Sequence, residues 1–201
     1  QYIPKQAETI AMRIIQHCLV YFIDQGCPEI IITDGNDVIS LNTLFKEKFK
    51  TESNTDTFLI ENVEFSLLNC KIEERAFKGN RLYLCANNRL VDSKELEKSI
   101  VDLDKQIFER NGFWYIGVLT SKYLDENVDM NRLSFSIPEN GVSLVNAISM
   151  EQIVKESCFH ISKYLKEYLD TIACAKKERI VSYATSDAPE YRHLLKYMPN
   201  E

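Results

Sequence analysis

Glycine is scarce in this chain, and its few glycines are too far apart to form a phosphate-binding loop. The 201 residues include six glycines, and no two of them lie within four residues of each other. The Walker A loop and the dinucleotide fingerprint both need closely spaced glycines, because their backbone wraps around phosphate groups. The sequence therefore excludes both motifs.

Histidines and paired cysteines are equally sparse. The three histidines, His17, His160 and His193, lie far apart, and none stands in a known nucleophile motif. The six cysteines include no CxxC pair and lack the tight spacing that zinc sites and disulfide frameworks normally show. Most of them stand in apolar runs, where cysteine acts as a small hydrophobe. We therefore predict buried, reduced thiols in a cytoplasmic protein, and no metal site.

Basic charge and long apolar runs are also lacking. The net charge of −6 at pH 7 argues against a free-standing nucleic-acid binder, which is usually basic. No apolar run approaches the roughly 20 residues that span a bilayer, and no signal-peptide pattern is present. Asp125 and Glu126 stand in polar surroundings, where solvated charge is the simplest interpretation. We predict no membrane contact and no catalytic residue in this chain.

The pattern that is present predicts an α+β fold, with a mixed central sheet, helices packed on it and a long C-terminal helical segment. Strands are predicted near 29–33, 57–72, 81–91, 113–121 and 133–137, with loops at 50–56 and 122–132. Helices are predicted at 4–25, 41–49, 94–108 and 149–198. The strand at 113–121 is apolar on both faces, so we expect both faces of the sheet to be covered.

Local signals place several boundaries. Asn87 and Asn88 suit a turn in the left-handed conformation. Ser93 suits the N-cap of the helix at 94–108, and Ser149 with Gln152 suits a capping box. The last helical segment carries a heptad-like seam, for which both packing on the chain's own sheet and pairing between subunits stay open. We predict three parts: a connecting helix (1–27), an α+β domain (28–148) and a C-terminal helical segment (149–201).

Two segments resemble the second domain, called the transducer, of the GHKL ATPases. That superfamily takes in type II topoisomerases, heat-shock chaperones and MutL-type repair proteins. In residues 81–100, the strand, the Asn87-Asn88-Arg89 corner, a short strand and a helix resemble its "NGR-V" segment. In residues 123–137, the run VDMNR and the strand after it are similar to its "DVN" and "PLN-x-S-R" segments. The C-terminal region also resembles a bacterial group of uncharacterised ATP-binding proteins in this superfamily.

The resemblance implies a ribosomal-protein-like transducer fold that couples the nucleotide state of a missing N-terminal ATPase domain to parts downstream. The family's ATP-site motifs are absent, as expected if they precede Gln1 of a fragment. ATP and Mg would belong to the intact parent, an ATPase, and not to this fragment. Arg132 would contact the terminal phosphate of ATP there. The family's Pro-x-Lys is missing, and the simpler interpretation pairs Arg132 with Asp129 or Asp125 on the surface.

Two other interpretations stay open, and both lack an ATPase link. One is a nucleic-acid-binding module, which would need a basic face with exposed aromatic side chains. The other is a dimerisation element built on the helix at 149–184, so that a homodimer is possible. The downstream partner is unknown from the sequence.

Overall fold

The computed structural model describes residues 7–23, 27–35, 37–48, 51–73, 79–104, 107–131, 133–140 and 148–197. The chain divides into two compact units, residues 1–161 and residues 162–201. No described helix is both long and apolar enough to cross a membrane.

The first unit contains a five-stranded mixed sheet, which confirms the predicted α+β class. Its strands, in spatial order, are β3 (Thr51–Ile60), β4 (Val63–Ile72), β7 (Trp114–Thr120), β5 (Arg81–Ala86) and β6 (Arg89–Glu95). Neighbours are antiparallel except β7 and β5, which are parallel. A separate antiparallel pair joins β1 (Ile31–Asp34) and β2 (Asp37–Ser40). The two-sided apolar run at 113–121 is therefore the central strand, as its composition predicts.

Both faces of the sheet are covered, as the apolar strands require. One face packs against α1 (Ala7–His17), α2 (Leu19–Ile23) and α3 (Leu41–Lys48). That cluster joins Ile15, Leu19 and Leu41 to the sheet residues Ile116 and Val118. On the other face lie α6 (Met150–Tyr164), where His160 stacks on Phe58, and the short helix α5 (Lys122–Glu126), where the Tyr123 ring lies near that of Phe65. A further short helix, α4 (Ile107–Asn111), contacts the sheet where Phe108 stacks on Trp114. Burial of apolar area on two faces at about 25 cal/mol per Å² is the main stabilising term for such a sheet.

Buried polar side chains tie the sheet to the segment that follows β6. The Asn80 side chain accepts the Tyr115 amide at 3.0 Å and donates to Glu97 at 3.2 Å and to the Asp104 carbonyl at 3.2 Å. The Tyr115 hydroxyl donates to Asn69 Oδ1 at 2.6 Å. Asn69, Asn80 and Tyr115 are all almost fully buried. Since each of these buried polar groups has a hydrogen-bond partner, the network favours one arrangement of the sheet and avoids the free-energy cost of burying an unpaired polar group.

Three predicted elements are wrong in their details. The polar stretch 51–56 is strand rather than loop, because it pairs with β4 along its whole length. The helix predicted at 94–108 is wrong over most of its length, since β6 continues through Ser93 to Glu95 against β5. Among the described residues of that range, only the 3₁₀ turn Leu96–Lys98 and the start of α4 at Ile107 are helical. Residues 133–137 form no strand, and a single bridge joins Val128 to Phe135.

The capping box predicted at Ser149 and Gln152 is confirmed. The Gln152 amide donates to Ser149 Oγ at 3.2 Å, and the Ser149 amide donates to Gln152 Oε1 at 2.9 Å. The Ser40 hydroxyl accepts the Thr43 amide at 3.4 Å at the start of α3. Of the predicted helix at 4–25, the described residues form α1 and α2, which are separated at Cys18.

The second unit begins at Ser162, near the end of α6, and contains α7 (Lys166–Ser186) and a 3₁₀ helix, Pro189–Tyr197. The Asp187 and Ala188 amides both donate to the Tyr183 carbonyl where α7 ends. Ile172, Ala184 and Ala188 are buried in this unit. Other apolar side chains of α7 are exposed, namely Ile180, Val181 and Tyr183.

Candidate functional site

A polar groove of about 640 Å³ opens at the end of the sheet where β7 stops. Its walls come from four places: the turn between β3 and β4, the first residues of β4, the end of β7 with α5, and the turn between β5 and β6. Within the part of the chain that the structure describes, this groove contains parts of segments 81–100 and 123–137, on which the hypothesis of a coupling domain depends. It is therefore the candidate site.

Two tight turns with left-handed backbone form opposite walls of the groove. Glu61 and Asn62 join β3 to β4 with φ of 46° and 68°, and Asn87 and Asn88 join β5 to β6 with φ of 49° and 62°. Two-residue hairpin loops of type I′ require positive φ at both positions, and asparagine tolerates it better than most residues. The predicted left-handed turn at Asn87 and Asn88 is confirmed.

The α5 helix forms the third wall, and its N-cap holds it at the end of β7. The Ser121 hydroxyl accepts the Leu124 amide at 3.0 Å, and Leu124 is fully buried. A serine cap of this kind is typically worth about 1 kcal/mol. The loop predicted from residue 122 is therefore wrong over Lys122–Glu126, which are helical.

A hydrogen bond joins the two resembling segments across 38 residues of sequence. The main-chain amide of Asn87 donates to Asp125 Oδ1 at 2.6 Å. An acceptor that carries full charge makes such a bond shorter and stronger than one between neutral groups. The carboxylate of Asp125, interpreted from the sequence as a solvated charge, therefore has a structural partner.

Charges in the groove are mainly negative. Among the described residues, Glu64, Asp125 and Glu126 line it together with one cation, Lys122. Lys122 Nζ lies 3.6 Å from Glu126 Oε1, and both side chains are largely exposed, so the ion pair adds little stability. A nucleotide polyphosphate needs cations or a run of main-chain amides. The described lining residues do not offer these groups to a polyphosphate.

Tyr123 fixes α5 to the segment before α6. Its hydroxyl donates to the Ile148 carbonyl at 3.0 Å, and its ring lies 6.4 Å from that of Phe65. Burial, and secondly the nearby carboxylate of Glu61, raise the pKa of Tyr123. The hydroxyl therefore stays protonated and acts as a donor at neutral pH.

Arg132, the residue predicted to contact a terminal phosphate, lies outside the described residues. The loop around it is held by Asp129, whose carboxylate accepts the Leu133 amide at 2.7 Å and the Ser134 hydroxyl at 3.3 Å. The Asp129 amide in turn donates to the Ser134 carbonyl at 3.0 Å. Both predicted roles of Arg132, phosphate contact and surface pairing, stay predictions.

A cluster of side chains around His160 was not predicted from the sequence. His160 Nδ1 lies 2.6 Å from Asp56 Oδ2, His160 Nε2 lies 3.8 Å from Glu156, and the imidazole stacks on Phe58 with 4.4 Å between ring centres. Asp56 and His160 are 104 residues apart, so sequence spacing carries no signal for the pair. The cluster anchors α6 to β3. Among the described residues, no group of three or more potential ligands is placed to hold a metal ion.

All six cysteines are free thiols. Burial raises the pKa of Cys70 and of Cys85 to about 12. Burial also raises the pKa of Cys158, against a smaller opposite effect of a hydrogen bond with Ser99. Cys174 is exposed, so the prediction of buried thiols holds for only part of the set.

Comparison of the chain with protein-family models, with curated proteins and with solved structures found no match.

Proposed function

We propose that this chain is a coupling domain of a GHKL-type ATP-binding protein, which passes the nucleotide state of an ATPase domain to parts downstream. The observation that carries the proposal is the hydrogen bond from the Asn87 amide to Asp125. It joins the two segments that resemble the transducer domain. Two short resemblances that meet at one end of a sheet support a shared function better than two isolated ones.

The order of elements around this contact also supports a mechanical role. The central strand β7 leads directly into the Ser121 cap and α5, and Asp125 of α5 holds the turn between β5 and β6. Elements that are continuous and hydrogen-bonded can move together, which coupling between domains requires. ATP and Mg are expected to bind the ATPase domain of the intact parent, in the cytoplasm, and no step in this chain depends on them.

One departure from the family pattern affects the proposal. The resembling segment 81–100 was expected to end in a helix capped by Ser93, but this serine lies in β6. The resemblance therefore extends through the strand, the turn and the second strand, and ends there.

The nucleic-acid alternative has less support. The described residues that line the groove include three carboxylates and one ammonium group, a balance that would repel a phosphate backbone. The dimerisation alternative depends on α7, whose exposed Ile180 and Val181 leave self-association open. Light scattering on the purified chain at several concentrations distinguishes a monomer from a dimer.

The coupling role is tested by ATP turnover of the full-length gene product. Arg132→Ala is expected to lower turnover at least about tenfold, because a charge-assisted contact of about 1.5–3 kcal/mol is lost. Lys98→Ala is the matched control, since Lys98 is also an exposed cation and pairs with Glu95 at 3.0 Å away from the groove. Equal turnover in both variants, or a full-length product that does not bind ATP, would contradict the proposal.

A further inference from the structure

At the end of the sheet that faces the groove, β4 extends three residues beyond its pairing with the central strand β7. β4 pairs with β3 over Val63–Ile72, but with β7 only over Ser66–Ile72. The first three residues of β4 therefore have β3 on one side and the groove on the other. An unpaired strand edge is a template for another strand.

The register shows which main-chain groups face the groove. The two-residue turn at Glu61 and Asn62 makes Ile60 and Val63 a hydrogen-bonded pair, because hairpin loops of this length close on such a pair. The alternation then directs the N–H and C=O of Glu64 away from β3. Ser66, two residues on, is directed the same way and lies opposite Thr120 of β7. The chain turns into α5 at Ser121, so β7 does not reach Glu64.

The outward groups of Glu64 are accessible. The Glu64 side chain is exposed, and the residue lines the groove. Among the described residues, no hydrogen bond from the groove side reaches its main chain. A donor and an acceptor thus stand together at the position that a continued β7 would occupy.

The charge of the groove selects the kind of segment that fits. Glu64, Asp125 and Glu126 outnumber Lys122, which is already within 3.6 Å of Glu126. Asp125 uses Oδ1 to accept the Asn87 amide, and no described residue donates to its Oδ2. A segment with lysine or arginine side chains would complement these carboxylates, and an acidic one would be repelled.

We propose that the groove binds a short extended segment of a partner protein that carries lysine or arginine, and that this segment pairs with Glu64 in place of a continued β7. In binding by strand addition, main-chain hydrogen bonds supply affinity and side-chain contacts supply specificity. The inference goes beyond the coupling role and does not rest on it.

The test uses the full 201-residue chain and the peptide acetyl-(Lys-Thr)₃-amide as the probe. Titration followed by amide NMR is expected to shift the Glu64 signal and to slow its hydrogen exchange. Acetyl-(Glu-Thr)₃-amide is the charge control and is expected not to bind. Spermidine, a cation without a peptide backbone, is expected to leave the exchange rate of the Glu64 amide unchanged.

Variants separate the main-chain contribution from the charge contribution. Glu64→Gln removes the charge, and Glu64→Pro also removes the outward N–H without breaking a bond to β3. The proline variant is expected to bind the probe more weakly than the glutamine variant. Glu64→Gln with Asp125→Asn is expected to weaken binding at least about threefold, since exposed ionic contacts are individually small.

The matched control is Asp92→Asn with Glu95→Gln, which removes two part-exposed carboxylates from β6. This variant is expected to keep the probe affinity, and thermal unfolding verifies that every variant is folded. Equal binding of both peptides, equal losses in the two double variants, or the same exchange protection by spermidine would overturn the proposal. So would the absence of binding. None of these four results would affect the ATP-turnover test of the coupling role.

Discussion

The buried hydrogen bond between Tyr115 and Asn69 allows a quantitative test of how the sheet is stabilised. The hydroxyl donates to Asn69 Oδ1 at 2.6 Å, and both residues are at most 1% exposed. Tyr115→Phe removes the donor and leaves a buried acceptor without it. We expect the free energy of unfolding to fall by about 1–3 kcal/mol, the usual cost of an unsatisfied buried polar group.

The double variant Tyr115→Phe with Asn69→Leu isolates the pairwise interaction. Replacing both partners by apolar groups removes the unsatisfied acceptor, so the double variant should be more stable than the sum of the two single losses predicts. The expected coupling is about 0.5–3 kcal/mol. Tyr191→Phe is a suitable control, because that tyrosine is exposed and its hydroxyl is accessible to water.

Urea unfolding followed by tryptophan fluorescence is the assay. The chain has one tryptophan, Trp114, which precedes Tyr115 in β7, so its emission reports on the sheet. A loss of under about 0.5 kcal/mol for Tyr115→Phe, the size typical of surface substitutions, would show that the bond does not stabilise the fold. Simple additivity of the two single variants would refute the pairwise explanation.

The structure supports three further predictions, two on stability and one on ATP binding. Gly117→Ala should lower the free energy of unfolding in urea by about 1–3 kcal/mol. The reason is that a Cβ there would lie 3.0 Å from the Tyr115 hydroxyl and 3.3 Å from two leucine methyl groups. An unchanged free energy of unfolding would show that the site can expand. Burial raises the pKa values of Cys70 and Cys85 from 9.0 to about 12 and so favours the protonated thiols in the folded state. Their contribution to stability is therefore full below pH 9 and is lost as the pH rises from 9 through 12. Replacing both by alanine should flatten that part of the curve of stability against pH, and an unchanged slope would contradict the assignment. Calorimetry of the chain with ATP should detect weak binding or none, because the groove is acidic, and micromolar affinity, about −8 kcal/mol, would mean that another site exists.

The parts of the fold that were predictable are those with strong local signals. The run at 113–121 is bulky and apolar on both faces, which is compatible with little except a central strand. Asn87 with Asn88, and Ser149 with Gln152, carry their own turn and cap chemistry in adjacent residues. None of these predictions needed knowledge of a distant partner.

Two of the wrong predictions share one physical cause, which is pairing between strands that sequence periodicity does not reveal. Leu96 and Ile100 have helical spacing, yet β6 continues to Glu95 because Leu82 and Arg81 of β5 lie opposite Lys94 and Glu95. Residues 51–56 are polar, yet they form an edge strand because β4 supplies a partner along its whole length. Tertiary pairing overrode local propensity in both cases.

The candidate site was predictable only in pieces. The segments 81–100 and 123–137 were selected from the sequence by resemblance, but the contact between Asn87 and Asp125 depends on how β5 and β7 lie side by side. The contribution of Glu64 depends on the register of β3 with β4 and on where β7 ends, and neither can be read from a single sequence. The same holds for His160, whose partner Asp56 lies 104 residues away.

The two proposals for this groove require different properties of the Asp125 side chain. Coupling through α5 needs its hydrogen bond to the Asn87 amide, because that bond joins the end of β7 to the turn between β5 and β6. Asp125→Asn retains an oxygen that can accept this amide, so a mechanical link that depends on the bond should survive the substitution. Recognition of a basic segment needs the negative charge, which the same substitution removes. A full-length protein with Asp125→Asn that keeps ATP turnover but binds the lysine peptide more weakly would therefore show that the two functions use different properties of one side chain.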